Sequence, residues 1–406
     1  MEGLRGGGFK GQITVISSEG YQPIDRTRLS KALMTDLSKA AWRTPDFYKS
    51  ASIEMIDDEV TNVDFESKSI STKSGKTLPY TKLILATGGS PNSLPLDGLK
   101  PGELDNVFLL RTLKHTQAIN SALGEDSPKK VVIIGSSFIG LEVAKCLVGM
   151  KHDVTVVGME SAPVETVFGP ELGNIIKALL EKEGVKFHMK AEVSHASPSK
   201  SDKSKVGAVH LKDGTEYPAE IVIEGVGVKP ATNFLKESKG APSLNKDGSL
   251  TVDDTFAVKG LKDVFAIGDI ATYPYRGHQV RIEHWNVAQN AGRTVAKTIN
   301  QPKAKQKPFV PIFWSALGMQ LRYCGHAGPM TGGYDDVIFK GETKDLDKLS
   351  FAAYFVKDDD VQAVATMGKD PVMSQCSELM RRGKMLGRKD IENGMDVLEV
   401  PLTASL

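Results

Sequence analysis

The chain predicts an α/β fold built on nucleotide-binding units, and three observations carry that prediction. Residues 129–134 are a short apolar run rich in β-branched residues, which reads as a buried parallel strand. Gly135-Ser136-Ser137-Phe138-Ile139-Gly140 follows at once, a helical pattern opens at Leu141-Glu142, and a second strand runs over 153–157. Strand, glycine-rich turn, helix and strand in that order make a dinucleotide-binding unit. The second observation is a late apolar strand, 264–267, stopped by Gly268-Asp269. The third is length: 406 residues give room for two or three domains with a sizeable core.

The turn residues carry chemistry. Gly135 allows the tight turn, and Gly140 allows close packing of helix on strand. Ser137 occupies the middle glycine position and crowds the approach of a pyrophosphate. The N-terminus of the following helix offers N–H groups and a positive dipole end to phosphates. After Val157 come Gly158, Met159 and Glu160, so Glu160 is the candidate acid for an adenine ribose. No Arg or Lys lies between Gly158 and Phe168 to clamp a 2′-phosphate, which favours NADH over NADPH. Asp269 places a carboxylate at a strand's carboxyl end, where open α/β sheets bind ligands. It suits a hydroxyl-rich ligand such as the ribityl chain of FAD, and it equally suits a simple capping role.

The elements can be justified in order. Residues 1–9 read as the end of a helix, with Gly6-Gly7-Gly8 as its stop, followed by a strand over 12–16. An amphipathic region over 48–56 precedes a hairpin-like piece from Ile53 to Ala86. A helix is expected over 173–183, a strand over 185–188, a surface loop over 197–205 and a strand over 220–223 leading into Gly225-Val226-Gly227. Residues 301–308 read as a solvated linker. Strands near 334–339, 350–355 and 361–367 and a helix around 372–386 complete the chain; the basic residues of that helix, Arg381, Arg382 and Lys384, read as a solvated face.

Composition narrows the function classes. Lys+Arg 51 against Asp+Glu 50 gives a net charge of +1, without the basic stripe that nucleic-acid binding needs. No apolar run is long enough to span a bilayer, and no signal peptide is visible. Cys146, Cys324 and Cys376 form neither Cys-x-x-Cys nor a metal-ligand spacing, so no metal site is expected. Few cysteines fit a reducing compartment, and a cytoplasmic address is expected.

These motifs resemble the FAD/NAD(P)-dependent pyridine nucleotide-disulfide oxidoreductase superfamily, in its apoptosis-inducing-factor-like and ferredoxin/rubredoxin reductase branch. The carriers are Asp25-Arg26-Thr27-Arg28-Leu29-Ser30-Lys31, Leu85-Ala86-Thr87-Gly88-Gly89, Gly135 to Glu142, Val264 to Asp269, Glu283-His284-Trp285 and Pro311-Ile312-Phe313-Trp314-Ser315. The resemblance covers nearly the whole chain. It implies two Rossmann-like nucleotide-binding domains, one inserted in the other, plus a C-terminal α+β domain. The FAD-binding domain would occupy 1–115 and 250–305, the NAD(P)H-binding domain 116–249 and the C-terminal domain 306–406. The family's first strand and Gly-x-Gly-x-x-Gly turn are not found before residue 12, so a truncated FAD unit is expected, and with it a mitochondrial alternative if a targeting segment preceded.

The resemblance also assigns roles. Glu19 would bond the adenine ribose of FAD, and Arg26 the diphosphate. Lys31 would sit beside the flavin, with Glu142 near it; a first-turn helix acid is the plainer reading of Glu142. Ala86, Thr87 and Gly88 would form a second FAD contact and Asp269 the ribityl contact. His284 and Trp285 would open a flavin-binding helix, and Trp314 would cover the ring or serve as a core Trp. Gly135, Ser137, Phe138, Ile139, Gly140, Glu160 and Gly227 would hold NADH, with NADPH as second candidate. The implied activity is electron transfer from NADH through flavin to an external acceptor, an iron–sulfur protein, a quinone or oxygen, because no redox dithiol is present. A monomer or homodimer is expected. The alternative is a weakly active or inactive relative acting as a redox-sensing or interaction protein.

Overall fold

The computed structural model describes residues 1–402 apart from Asp126 and Gly318. The chain forms two compact units, each assembled from three separated segments.

The first unit comprises Met1–Asp25, Asp36–Ser90 and Lys229–Phe309. Three pairs of its strands run parallel, one of them the short pair Leu250–Thr251 beside Ala271–Tyr275, and the other two bear on the site. Ile13–Ser17 lies beside Ile53–Asp57, and Leu83–Leu85 lies beside Val264–Ala266. Among the described residues no strand joins the two pairs. A three-stranded antiparallel sheet follows, Val60–Asp64, Ser69–Thr72 and Thr77–Pro79. This corrects the hairpin expected from Ile53 to Ala86: its two ends pair parallel with distant strands, and only the middle is antiparallel. The run of apolar residues at 83–85 is buried by a long-range partner, which periodicity alone cannot name. The helix Trp285–Asn300 turns Val287, Ala291 and Val295 inward at a spacing of four, onto a core that includes Val264, Phe265, Ile270 and Tyr273. Burying each such valine contributes about 1.5–3 kcal/mol. The N-terminal helix Glu2–Gly6 ends at Gly7, with Gly8 at φ +91°, so the glycine run is the helix stop expected.

The second unit comprises Arg26–Thr35, Pro91–Val228 and Val310–Leu406. Its centre is a five-stranded parallel sheet in the order Lys186–His188, Asp153–Val157, Lys130–Ile134, Ile221–Glu224 and Val107–Leu109. The helix Phe138–Gly149 begins three residues before the expected Leu141. Gly140 lies inside it as a packing position, not ahead of it. The next helix, Glu165–Lys182, also starts earlier than expected, because Gly169 and Pro170 break it internally (Gly169 φ +72°, ψ 170°) and mask its first turn. The expected loop over 197–205 is in part strand: Val193–Pro198 pairs antiparallel with Val206–Leu211.

A five-stranded antiparallel sheet ends this unit, in the order Ile312–Leu317, Met319–Gly325, Asp360–Met367, Ser350–Lys357 and Asp336–Glu342. The first two strands were not expected from the sequence. The helix Val372–Arg382 packs on this sheet through Val372, Met373, Cys376 and Leu379. Its basic end is not simply solvated, since Arg381 and Arg382 both pair with Glu378. Phe138, Phe168, Phe313 and Tyr323 stack edge and face, with centroids 4.7–5.6 Å apart for Phe138–Phe168, Phe138–Phe313, Phe168–Tyr323 and Phe313–Tyr323. They tie the nucleotide helix to the C-terminal sheet. No described helix is long and apolar enough to cross a membrane.

Candidate functional site

In the second unit the turn after Lys130–Ile134 is built by close backbone approach. Gly135 has φ +106°, and a Cβ there would lie 2.4 Å from the Gly225 carbonyl oxygen. A Cβ at Gly140 would lie 2.3 Å from the Gly135 carbonyl oxygen. Neither position tolerates a side chain. Ser137 is the N-cap residue of the helix, in an extended conformation that any residue adopts. Its Oγ donates to the Gly225 carbonyl at 3.1 Å, so the hydroxyl is tied aside rather than crowding the helix N-terminus. Ser136 is buried and donates to Glu160 at 3.0 Å. That bond holds the Glu160 carboxylate against the turn despite Gly158 and Met159 intervening. Gly227, at φ +87°, is exposed, and a Cβ there would meet Asn92 Nδ2 at 3.6 Å, an ordinary contact. The Phe138 ring is committed to the aromatic cluster, which leaves the helix backbone as the contact surface at that residue.

One helical turn further on, Glu142 is 7% exposed and bonds three side chains. Oε1 accepts from Lys31 Nζ at 2.7 Å and from Ser315 Oγ at 2.6 Å, and Oε2 accepts from Ser30. Glu142 lies in the second turn, so the first-turn capping reading fails. Lys31 comes from the short helix Thr27–Ala32, and its ammonium remains partly exposed. The arrangement is an ammonium fixed in place by a buried, fully bonded carboxylate. Arg26, just before that helix, donates from Nη1 to the Arg111 carbonyl at 2.9 Å. Trp314 lies on the edge strand Ile312–Leu317, where Phe313 and Ser315 alternate inward and Trp314 outward at 37% exposure. It therefore faces away from Ser315 and Glu142.

In the first unit the parallel register Ala266↔Leu85 sets two strand ends side by side. Ala86, Thr87 and Gly88 leave one strand, and Ile267, Gly268 and Asp269 leave the other. The strand stops at Ala266, one residue short of expectation, and Gly268–Ile270 forms a 3-10 turn. Asp269 is 8% exposed. Gly268, at φ +73°, lets the turn approach Ala288 of the helix Trp285–Asn300. Thr87 Oγ1 donates to the Ala231 carbonyl, and Ala231 N donates to the Gly88 carbonyl, both at 2.8 Å. His284 is the N-cap of that helix and accepts the Asn286 N–H on Nδ1 at 3.2 Å. The Trp285 ring meets Trp42 at 6.0 Å. Glu19 follows Ile13–Ser17 and donates its N–H to Ser17 Oγ at 3.3 Å.

Several partners were not singled out in the sequence. Ser30 and Ser315 each adjoin a residue that was, Lys31 and Trp314. Ser136 lies within the turn itself. Trp42 carried no signal, because its pairing with Trp285 is long-range. Arg281, which bridges Asp247 and Glu283 at 2.7 and 2.5 Å and donates to the Asp269 carbonyl at 3.2 Å, precedes the Glu283-His284-Trp285 motif by two residues. Glu224 ends an otherwise apolar strand, a signal visible in the sequence.

The donor sets fit the two cofactors that the motifs imply. A turn that a Cβ would fill, opening a helix N-terminus, suits a pyrophosphate. A buried carboxylate at a strand end suits a polyol chain.

Residues 2–292 match the family described as pyridine nucleotide-disulphide oxidoreductase. The chain is 34% identical over 397 residues to human apoptosis-inducing factor 3, covering 96% of this chain and 62% of that protein. It is 31% identical over 360 residues to rubredoxin-NAD(+) reductase of Ectopseudomonas oleovorans, covering 86% and 88% of the two chains. In structure it is similar to the ferredoxin reductase of the CYP199A2 system from Rhodopseudomonas palustris, with a TM-score of 0.85, 26% identity, and coverage of 96% and 93%. The chain thus spans under two thirds of the length of the first of these relatives.

Proposed function

The chain belongs to the pyridine nucleotide-disulphide oxidoreductase family, and on that premise we propose that it is an FAD-dependent NADH oxidoreductase that passes electrons to an external acceptor. The observation that carries the reading is the Lys31–Glu142 pair, buttressed by Ser30 and Ser315, one helical turn beyond the glycine turn. A buried carboxylate of this kind stabilises a neighbouring ammonium, and that ammonium is suited to a cofactor that gains negative charge on reduction. Cys146 is half-buried and Cys324 and Cys376 are buried, and no disulfide or Cys-x-x-Cys pair stands ready to relay electrons. This supports direct delivery to an acceptor.

Bound FAD would supply the redox chemistry, taking up the two electrons of one hydride and releasing them one at a time. The residues of this chain position it. The Gly135 turn and the N-terminus of Phe138–Gly149 bind the NADH pyrophosphate, Gly140 brings helix and strand together, and Gly227 gives passage to the chain of the nucleotide. Ser137 and Ile139 contribute backbone at the helix start. Glu160, oriented by Ser136, accepts from the adenine ribose, which favours NADH over NADPH. Asp269 accepts from the ribityl hydroxyls, with Ala86, Thr87, Gly88, His284 and Trp285 around it. Glu19 and Arg26 serve the adenosine and diphosphate ends. The proposed FAD part comprises 1–115 and 250–305, the NADH part 116–249 and the C-terminal part 306–406, except that Val107–Leu109 joins the parallel sheet of the NADH part.

The proposed acceptor is an iron–sulfur protein, in line with the rubredoxin named for one relative. The test is the visible spectrum of the purified chain with FAD added, followed by NADH oxidation with ferricyanide and with a rubredoxin. Protein-bound flavin bands and turnover that saturates in NADH are expected. A chain that takes up no flavin and oxidises no NADH would sink the reading in favour of a non-catalytic relative.

A further inference from the structure

Beside the last strand of the parallel sheet in the second unit lies a cavity of about 210 Å³ that the proposed electron transfer does not use. Leu99, Val107, Phe108 and Leu109 give it apolar walls, and His115 and Glu224 supply its polar groups. Glu224 is the terminal residue of Ile221–Glu224, and the register sets it between Ile134 and Leu109. It is 4% exposed. Its Oε1 accepts the Leu94 N–H at 3.1 Å, and among the described residues no Lys or Arg pairs with either oxygen. A buried carboxylate without a cation is costly, and a matching cation relieves that cost. His115 Nδ1 accepts the Arg111 N–H at 3.1 Å. An apolar cavity of about 150 Å³ is enough to take up benzene, so this one has room for a ring and a short polar arm.

We propose that this cavity binds a small organic monocation, a primary ammonium carried on an apolar body the size of one aromatic ring. The ammonium donates to the Glu224 carboxylate, and the body lies against Leu99, Val107 and Phe108. Burial raises the Glu224 carboxyl to about 7, so the empty site is part-protonated near neutrality and cation binding expels that proton. Glu224 and, from the helix Leu113–Leu123, His115 are the titratable groups that line the cavity; the other walls contribute none. The site adjoins the nucleotide turn through Gly225, whose carbonyl accepts from Ser137.

Benzylamine is the probe, with benzyl alcohol as its neutral isostere, titrated calorimetrically into the FAD-supplemented 406-residue chain with and without saturating NAD+. We expect one saturable site, with the amine at least about tenfold tighter than the alcohol and about tenfold weaker binding in Glu224→Gln. Affinity should rise between pH 6 and pH 8 by roughly fivefold or more as the expelled proton is no longer there to lose. Failure of benzylamine to bind, equal binding of amine and alcohol, unchanged affinity in Glu224→Gln, or competition with NAD+ would overturn the proposal. The pH series on the unaltered chain decides the matter even if Glu224→Gln does not fold, because an affinity flat or falling from pH 6 to pH 8 is incompatible with it.

Discussion

Lys31 and Glu142 show how two single residues carry both stability and chemistry. Each needs the other: Glu142 has lost its water, and Lys31 supplies the charge that replaces it. Lys31→Met leaves a buried carboxylate with only two hydroxyl partners and should cost about 2–4 kcal/mol in chemical unfolding, discounted because the ammonium is partly exposed. Adding Glu142→Gln should recover much of that loss, which a double-mutant cycle measures. Glu224 gives a pH dependence with a definite sign. Its carboxyl is raised by burial to about 7, so the folded state holds a proton that the unfolded state has released above its ordinary range near 4.5. Stability is therefore full below that range and falls as pH rises through about 7. Glu224→Gln should remove this slope and gain on the order of 1–3 kcal/mol at pH 8, allowing for water reaching the cavity-facing oxygen. His326 acts oppositely. Burial pulls its imidazole down to about 4, so it removes stability as pH falls from about 6.5. Urea unfolding between pH 5 and pH 8 checks both signs.

At the scale of elements, local chemistry was readable and long-range pairing was not. The turn at Gly135 to Gly140 announced itself because glycine spacing and apolar strands are short-range patterns, and the structure explains each glycine by a backbone atom within 2.4 Å of a hypothetical Cβ. The Gly268-Asp269 end of a strand was equally legible. Strand partners were not. Leu83–Leu85 read as one end of a hairpin, yet its partner Val264–Ala266 lies some 180 residues away in sequence. The hairpin Ile312–Leu317 with Met319–Gly325 escaped because its outward positions mix Trp314, Ala316 and Gln320, which breaks the alternation of a half-buried strand. That hairpin matters, since it delivers Ser315 to Glu142 and Phe313 to Phe138. Phe313→Ala empties the centre of the aromatic cluster and should cost about 3–5 kcal/mol, read as a lowered thermal midpoint.

At the scale of the molecule, balanced charge is the dominant global property. Fifty-one basic and fifty acidic residues leave a formal charge of +1. Association with DNA should therefore be weak and non-specific, with no retention on a DNA column at 0.15 M salt. Strong retention with a steep salt slope would contradict this.

The order of segments has a consequence for how the protein can be taken apart. The chain alternates between its two units through six segments, beginning with Met1–Asp25 in one and Arg26–Thr35 in the other. Neither unit is a continuous stretch of sequence, so neither can be excised with one cut or expressed as one fragment. The ten residues that bear Lys31 belong to the second unit by packing, but by connectivity they are flanked on both sides by the first. A protease nick near residue 91 or 310 would break the backbone without freeing either unit, and recombination between relatives at a single crossover between residues 26 and 309 would divide both. The protein is inherited and dismantled as a whole.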